Sequence, residues 1–180
     1  SAMTADEILE YPFAHVAVAT GSRWRRDGVG YQHPVPMDID PAAEVLTPDD
    51  LMEGSRPHGR HVVLFDDDHY YLGGVLAELL AAEGYRVTLI TPASDVSDWT
   101  HNTLEQHRIA ARLLGMGVEV VTHRSVEAIH AGGVSTACRF TGRTEDQDTD
   151  AVVLVTARLP NEQLALDLTE RVGRAAGDAP

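Results

Sequence analysis

The sequence has 180 residues, of which 28 are acidic and 14 basic, so its net charge is −14. This balance excludes the basic surface that nucleic-acid binding requires, and no apolar run approaches the roughly 20 residues of a membrane-spanning helix. We therefore expect neither a nucleic acid nor a membrane as partner. The single cysteine, Cys138, excludes an internal disulfide framework and fits a reducing compartment such as the cytoplasm. One cysteine also cannot hold an iron–sulfur cluster, which normally takes about four.

The first third of the chain predicts one short strand and a long connection. Residues 13–19 alternate and then run apolar, and the turn at Thr20-Gly21 closes a buried strand. Residues 22–57 are interrupted repeatedly by glycine and proline, which is typical of an extended connection. Inside this connection Thr47 is placed to cap a short helix that begins at Pro48.

The middle of the chain predicts a strand, a helix and a second strand. His61–Phe65 is a continuous apolar run, typical of a parallel strand covered on both faces. Helical spacing follows, and it predicts one apolar stripe formed by Leu72, Val75, Leu76, Leu79 and Leu80. Gly84 ends this helix, and Arg86–Ile90 forms the next strand through a right-handed crossover.

Helices and strands continue to alternate in the second half of the chain. The predicted elements are a helix over 102–114, a strand over 118–121, a hairpin turning at Gly132-Gly133, a buried strand over 151–155 and a helix over 164–172. Residues 144–150 predict a solvated turn. The fold class is therefore α/β: a Rossmann-like parallel sheet with an added β-hairpin or meander.

The loop after His61–Phe65 is where a dinucleotide-binding fold carries its glycine-rich turn. Gly73, followed by Gly74, matches the third glycine of the GxGxxG motif. Counted back from Gly73, the first two glycines would fall on Asp68 and Tyr70, whereas counted forward from the strand they fall on Asp66 and Asp68. At about 4 Å, two like charges repel by about 4 kcal/mol at an effective dielectric of 20, so these carboxylates oppose a phosphate. The two aspartates and two glycines form a degenerate cofactor-binding site, and we predict that NAD does not bind.

Two structural roles remain open for the acidic loop. The carboxylates of residues 66–68 could cap the amino terminus of the following helix and stabilise its dipole. Alternatively, Asp66, Asp68 and His69 could bind a metal as hard ligands. Because the loop lacks the alternating spacing of a calcium-binding loop, we expect the cap and no metal site.

Three other features each have two interpretations. Tyr70 and Tyr71 could stack on an adenine, but the expected role is packing of the loop. Cys138 lies on a predicted strand, where a cysteine is typically buried and inert. Trp24 stands among three arginines, which indicates either an anion-binding patch or, as we expect, a contact surface for a further domain.

The order of these signals resembles one branch of flavin oxidoreductases. A strand ending "VAVATGS" (16–22) precedes the stretch "VLFDDDHYYLGGVLAELLAAEGYRVTLITP" (63–92), and after the hairpin the chain continues "VLVTARLPN" (153–161). This arrangement resembles the carboxyl-terminal FAD/NAD(P)-binding-like region of the trimethylamine, dimethylamine and histamine dehydrogenase branch of the old yellow enzyme-like NADH:flavin oxidoreductases. The resemblance covers residues 11–168.

The resemblance implies a domain organisation. Residues 1–21 would be a remnant strand and turn of an FAD-like domain, and residues 22–57 a linker. Residues 58–172 would form an NAD(P)-binding-like domain of the glutathione reductase type, and residues 173–180 a tail.

The resemblance also implies a function. The parent protein would be a cytoplasmic iron–sulfur flavoprotein, similar to amine dehydrogenases and demethylases, with FMN, a 4Fe-4S cluster and, as an open question, ADP. It would pass electrons to an electron-transfer flavoprotein. This chain would hold no cofactor and no catalytic residue, and would pack against the flavin barrel of the parent. The alternative is an NAD(P)H-binding domain of an NADH:flavin oxidoreductase.

Overall fold

The structure is a computed structural model that describes residues 3–177 and divides into two compact units. One unit joins the two ends of the described chain, up to Arg23 and from Arg158 onward, and the other comprises Trp24–Ala157. Within the described range, no helix is long and apolar enough to cross a membrane. The last three residues of the predicted tail, 178–180, lie outside the described residues.

The regular elements alternate along the chain. In chain order they are α1 (Ala5–Leu9), β1 (Ser22–Trp24), β2 (Asp38–Ile39), β3 (Val45–Leu46), α2 (Pro48–Met52), β4 (His61–Asp66), α3 (Tyr71–Ala82), β5 (Arg86–Ile90), a 3₁₀ helix (Asp98–Thr103), α4 (Gln106–Gly115), β6 (Glu119–Val121), β7 (Arg124–His130), β8 (Gly133–Cys138), β9 (Thr144–Asp148), β10 (Ala151–Val155), β11 (Arg158–Pro160) and α5 (Gln163–Gly177). The fold is mixed α/β, with both parallel and antiparallel sheets.

A five-stranded parallel sheet of order β3-β10-β4-β5-β6 forms the centre of the larger unit. As predicted, β4 is the central strand, and it is buried along nearly its whole length because both faces are covered. On one face Leu64 packs with residues of α3 and α4. On the other face Phe65 packs with Val126 and Val134 of a second sheet, of order β2-β7-β8-β9.

The predicted hairpin is confirmed by the second sheet. Strands β7 and β8 pair antiparallel, and Gly132 in their turn has φ +82°, a conformation that glycine adopts without strain. Residues 144–150, predicted as a solvated turn, instead contain β9, which pairs with β8. The prediction was wrong because β9 is an exposed edge strand, so its polar sequence shows no apolar alternation.

Helix α3 buries a face that is rotated from the predicted stripe. Leu76 and Leu80 are fully buried as expected, whereas Val75 is 54% exposed. The buried face continues instead through Gly74 and Ala77. A Cβ at Gly74 would come within 2.9 Å of the hydroxyl of Ser97, so the small residue permits close packing of the helix.

The second predicted helix, over 102–114, is divided in two. A 3₁₀ helix ends at Thr103, and α4 begins only at Gln106. Leu104 between them has φ +62°, a left-handed conformation that no α-helix continues through. Residues 22–57, predicted as a linker, supply β3 of the central sheet and also α2, which Thr47 caps in reciprocal bonds with Asp50 as its position predicts.

The smaller unit contains α1, α5 and the two-stranded sheet of β1 and β11. Residues 13–19, predicted as a buried strand, form no strand and are exposed. Among the described residues no strand lies alongside this segment, and an isolated strand has no partner for its backbone hydrogen bonds. Helix α5 begins near the predicted position and continues to Gly177, beyond the predicted end at residue 172.

Candidate functional site

The acidic loop lies at the topological switch point of the central sheet. The chain leaves β4 towards β5 on one side, while β10 lies on the other side of β4. In open α/β sheets, ligands bind in the crevice outside the carboxyl ends of two such strands. Here the loop itself bridges the crevice, because the N–H groups of Asp67 and Asp68 donate to the carbonyl of Val155, at 2.9 and 3.2 Å.

A second piece of chain, residues 25–33, covers the bridged crevice; we call it the covering segment. The N–H of Ala157, which follows β10, donates to Val29 across 3.0 Å. The N–H of Gln32 donates to Asp67 Oδ2 across 2.8 Å. A Cβ at Gly30 would collide with that same carboxylate. The close approach therefore requires glycine at position 30, and the place of a bound ligand is filled by the protein.

The carboxylate of Asp66 accepts hydrogen bonds from its own loop. Its Oδ1 accepts the N–H groups of Asp68 and His69, at 3.2 and 3.0 Å. Its Oδ2 has no hydrogen-bond partner in the structure and lies against Gly73, where a Cβ would collide with it. Burial raises the pKa of Asp66 to about 7, against the opposing influence of His69. Asp66 thus occupies loop N–H groups that a phosphate would otherwise approach.

The predicted helix cap is wrong. Helix α3 begins at Tyr71 after Tyr70 as its N-cap residue, and no side chain caps it. The hydrogen bonds of Asp66 end at His69, before the helix starts. His69 has φ +61°, so a left-handed turn separates the loop from the first turn of α3.

His69 lies against Asp67, and not with Asp66 and Asp68 as the alternative metal site would require. Its Nε2 is 3.2 Å from Asp67 Oδ1, and its Nδ1 is 3.3 Å from the hydroxyl of Thr91. Asp67 Oδ1 accepts no well-aligned hydrogen bond. Its contact with His69 is an ion pair only when the imidazole is protonated. Both side chains are buried.

The four sequence-predicted site residues separate into two groups. Asp66, Asp68 and Gly73 meet at the loop, whereas Gly74 faces away and packs against Ser97 and Ile109. Both glycines allow close internal packing. Sequence reasoning included Asp67 only as a possible helix cap and missed Gly30 and Gln32, which contact it, because no motif gives weight to a glycine 37 positions before Asp67.

One group of potential metal ligands lies elsewhere. Among the residues described, Asp95, Asp98 and His101 have ligand atoms within 4.8 Å of one another. Asp98 and His101 lie three positions apart in the 3₁₀ helix, where such side chains eclipse, and Asp95 precedes the helix. The side chains lie near the surface, and His101 Nε2 pairs with Asp95 across 3.3 Å. Mutual pairing in water is sufficient to account for this group.

Cys138 is less buried than expected. The side chain is half-buried, and a hydrogen bond with the side chain of Thr141 lowers the pKa of the thiol to about 7, with help from backbone groups of Phe140 and Thr141. The charge of Arg124 acts in the same direction.

Two of the three arginines around Trp24 are held in ion pairs. Arg25 pairs with Asp27 at 2.5 Å, and this hydrogen bond lowers the pKa of the carboxyl. Arg26 pairs with Asp50 at 2.6 Å. Trp24 itself is half-buried and packs against the hydrophobic core.

Comparison with known proteins places this geometry in a family. Residues 46–155 match the model of the OYE-like second alpha/beta domain. Dimethylamine dehydrogenase from Hyphomicrobium sp. (strain x) is 31% identical over 95% of this chain and 26% of its own length. Histamine dehydrogenase from Rhizobium sp. 4-9 has a TM-score of 0.92 and 47% identity, over 100% of this chain and 30% of its own.

A third relative agrees with these two. The 6-hydroxypseudooxynicotine amine oxidase from Pseudomonas geniculata N1 has a TM-score of 0.90 and 38% identity, over 95% of this chain and 26% of its own. The chain therefore spans between a quarter and a third of the length of these relatives. Since the family model matches more than half of the chain, the chain belongs to the family of the OYE-like second alpha/beta domain, in the branch that contains dimethylamine dehydrogenase and histamine dehydrogenase.

Proposed function

We propose that this chain is the second α/β domain of a longer flavin-dependent oxidoreductase and that its role there is structural. The observation that carries the proposal is the filled crevice at the end of β4. The covering segment reaches Asp67 through the N–H of Gln32, and the loop bridges to Val155. A domain that binds its own chain where a cofactor would lie is suited to holding neighbouring parts of an enzyme together.

The parent enzyme acts on an amine in this proposal. The names of three relatives support this, since two are amine dehydrogenases and one is an amine oxidase. FMN and a 4Fe-4S cluster would belong to other parts of the parent, because a cluster takes about four cysteines and this chain has only Cys138. In this proposal the parent enzyme passes its electrons to an electron-transfer flavoprotein. The parent enzyme is located in the cytoplasm.

The geometry favours this structural role over NAD(P)H binding. The β-α-β frame is Rossmann-like, but a dinucleotide needs loop N–H groups and space above them. Asp66 takes the N–H groups of two loop residues, and Gly30 stands against the carboxylate of Asp67. Both the donors and the space are therefore used within the domain. An ADP site in the parent would likewise lie outside this loop.

The amino-terminal residues support a place within a larger chain. We propose that residues 1–21 complete an FAD-like domain of the parent. Phe13, Val16 and Val18 are 63%, 46% and 37% exposed on a segment without a strand partner among the described residues. An extended apolar segment of this kind gains hydrogen bonds and burial when it joins a sheet.

The proposal is tested by titrating the 180-residue chain with NADH and NADPH in a calorimeter. We expect no saturable heat up to millimolar nucleotide. A millimolar dissociation constant corresponds to a binding free energy of only about −4 kcal/mol. A reductase with an intact GxGxxG loop, measured in the same buffer, is the positive control. The visible spectrum of the purified chain should show no flavin or cluster absorbance. Micromolar binding of NADH would replace this proposal with the hydride-delivering alternative.

A further inference from the structure

Three polar side chains form a row across neighbouring strands of the central sheet, far along the strands from the acidic loop. His61 begins β4, Thr88 lies in β5 and Glu119 begins β6. Thr88 pairs with both Val63 and Glu119, and His61 lies two positions before Val63, so all three side chains share one face. His61 Nε2 lies 3.0 Å from the hydroxyl of Thr88, which lies 3.1 Å from Glu119 Oε2. We call these three side chains the polar row.

The end of β9 and the turn that follows it hold His61 in place. The backbone N–H of His61 donates to Asp150 Oδ2 across 2.9 Å, and its carbonyl accepts the hydroxyl of Thr149 across 3.0 Å. The imidazole also forms a hydrogen bond with the backbone of Asp148, and this bond favours the protonated ring. A bond of that kind is one in which a ring N–H donates to a carbonyl. The ring of His61 therefore has an acceptor at each end.

A neutral imidazole can satisfy only one of these two ends. Its single N–H donates either to the backbone of Asp148 or to the hydroxyl oxygen of Thr88. The hydroxyl has one hydrogen, and an ionised Glu119 only accepts hydrogen bonds. If His61 donates to Asp148 and accepts from Thr88, no hydrogen remains for Glu119. A protonated imidazole has two N–H groups, so both ends are satisfied and Thr88 donates to Glu119.

Glu119 is the end of the row that can move. Thr88 is fully buried, and the backbone of Asp148 belongs to β9. The side chain of Glu119, in contrast, is 56% exposed on the edge strand β6. Arg86 Nη2 lies 3.9 Å from Glu119 Oε2 and offers a second partner near the surface. When Thr88 no longer donates, the carboxylate can turn to water or to Arg86.

We propose that the polar row is a pH-sensitive switch, in which a proton on His61 holds Glu119 against Thr88 and loss of that proton releases the carboxylate at the edge of the sheet. Glu119 and Asp150 favour the charged imidazole, and Arg86 opposes it. Burial of the ring, followed by the charge of Arg86, lowers the pKa of His61 from its usual 6.5. The row is therefore complete only under mildly acidic conditions. The switch goes beyond the structural role proposed above, and its test involves no nucleotide.

Nuclear magnetic resonance of the 180-residue chain follows both ends of the polar row. The imidazole nitrogen shifts give the protonated fraction of His61, and the carboxyl carbon of Glu119 reports its surroundings. Besides its own titration, we expect the Glu119 signal to show a second step at the midpoint of His61. Thr88→Val keeps the branched side chain without its hydroxyl and should abolish that step, whereas Thr88→Ser should retain it. No second step in the original protein, or an unchanged step in Thr88→Val, would overturn the switch.

Two exposed glutamates provide a matched pair of variants. Glu119→Gln removes a charge at most about 6 Å from His61 Nε2, so the midpoint of His61 should fall by about 0.5 pH unit, as expected for one charge at that distance in water. Glu53→Gln removes an exposed carboxylate at the end of α2 and should leave the midpoint unchanged. Equal midpoints in the two variants would overturn the switch. This pair decides the question even if Thr88→Val does not fold.

Discussion

The backbone N–H of Gln32 donates to Asp67 Oδ2 across 2.8 Å, joining two residues 35 positions apart in the sequence. This bond fixes the covering segment over the loop that follows β4. It satisfies one oxygen of a fully buried carboxylate, which would otherwise carry a large desolvation cost. The same bond determines that the switch-point crevice is part of the protein interior.

Gly30→Ala should destabilise the fold. The new methyl group would collide with the carboxylate of Asp67, and overpacking of this kind typically costs about 1–3 kcal/mol. Urea unfolding measures the change in the free energy of unfolding. Gly115→Ala is the control, since a Cβ there meets open space and no neighbouring atom. Equal stabilities of the two variants would contradict the close approach of the covering segment.

Asp66→Asn should change how stability depends on pH. The pKa of Asp66 is raised from 3.8 to about 7 by burial, so between these values the folded state binds more protons than the unfolded state. The contribution of Asp66 to stability is therefore fully present below pH 4 and is lost as pH rises to about 7. Asparagine does not titrate, so the stability of the variant relative to the original protein should increase from pH 4 to 7 and then stay constant.

The measurement for Asp66 is urea unfolding at a series of pH values. Asp148→Asn is the control, because Asp148 is an exposed residue of β9. Its stability difference from the original protein should vary little with pH. A difference for Asp66→Asn that does not change between pH 4 and 7 would mean that the carboxylate is ionised throughout that range.

Leu80→Ala should lose about 2–5 kcal/mol of stability, the usual range for a fully buried leucine. Leu79→Ala should lose less, because Leu79 only packs against the edge of the core. Val75→Ala should change stability by less than about 0.5 kcal/mol, since the side chain is 54% exposed. Thermal or urea unfolding of the three variants gives this order directly, and a large loss at Val75 would contradict the rotated helix face.

The thiol of Cys138 should react readily near neutral pH. Its pKa is lowered to about 7, so the thiolate fraction should rise steeply from pH 6 to 8. Iodoacetamide labelling followed by mass spectrometry measures the rate at each pH. Thr141→Val removes the side-chain hydrogen bond that contributes most to the shift, and its labelling curve should move to higher pH. Identical curves would show that another group lowers the pKa.

Sequence patterns predicted the elements whose signals are local. The apolar run of β4 and the paired glycines of the β7–β8 turn each determine their structure within a few residues. The segment 13–19 has an equally strong strand pattern, yet it forms no strand, because a strand depends on a neighbour that pattern alone does not supply. Edge strand β9 shows the converse, since β8 provides its pairing despite a polar sequence.

The sequence predicted where the candidate site lies, but not which contacts form it. Counting from β4 to the helix indicated a loop that is unfit for phosphate. Nothing in the spacing indicated that Asp66 bonds within its own loop, or that Asp67 receives the N–H of Gln32. The bond from Gln32 depends on the path of residues 25–33, which have no regular pattern of their own. Long-range backbone contacts of this kind leave little trace in the sequence.

The covering segment sets a limit on protein engineering. Replacing Asp66 and Asp68 by glycine would restore a loop sequence closer to GxGxxG, but the volume above the loop would still hold Gly30 and its neighbours. A designer who wants a nucleotide there must redirect the chain before β2 as well as rewrite the loop. A nucleotide site in this position therefore requires two coordinated changes, because the loop substitutions alone would leave a closed surface.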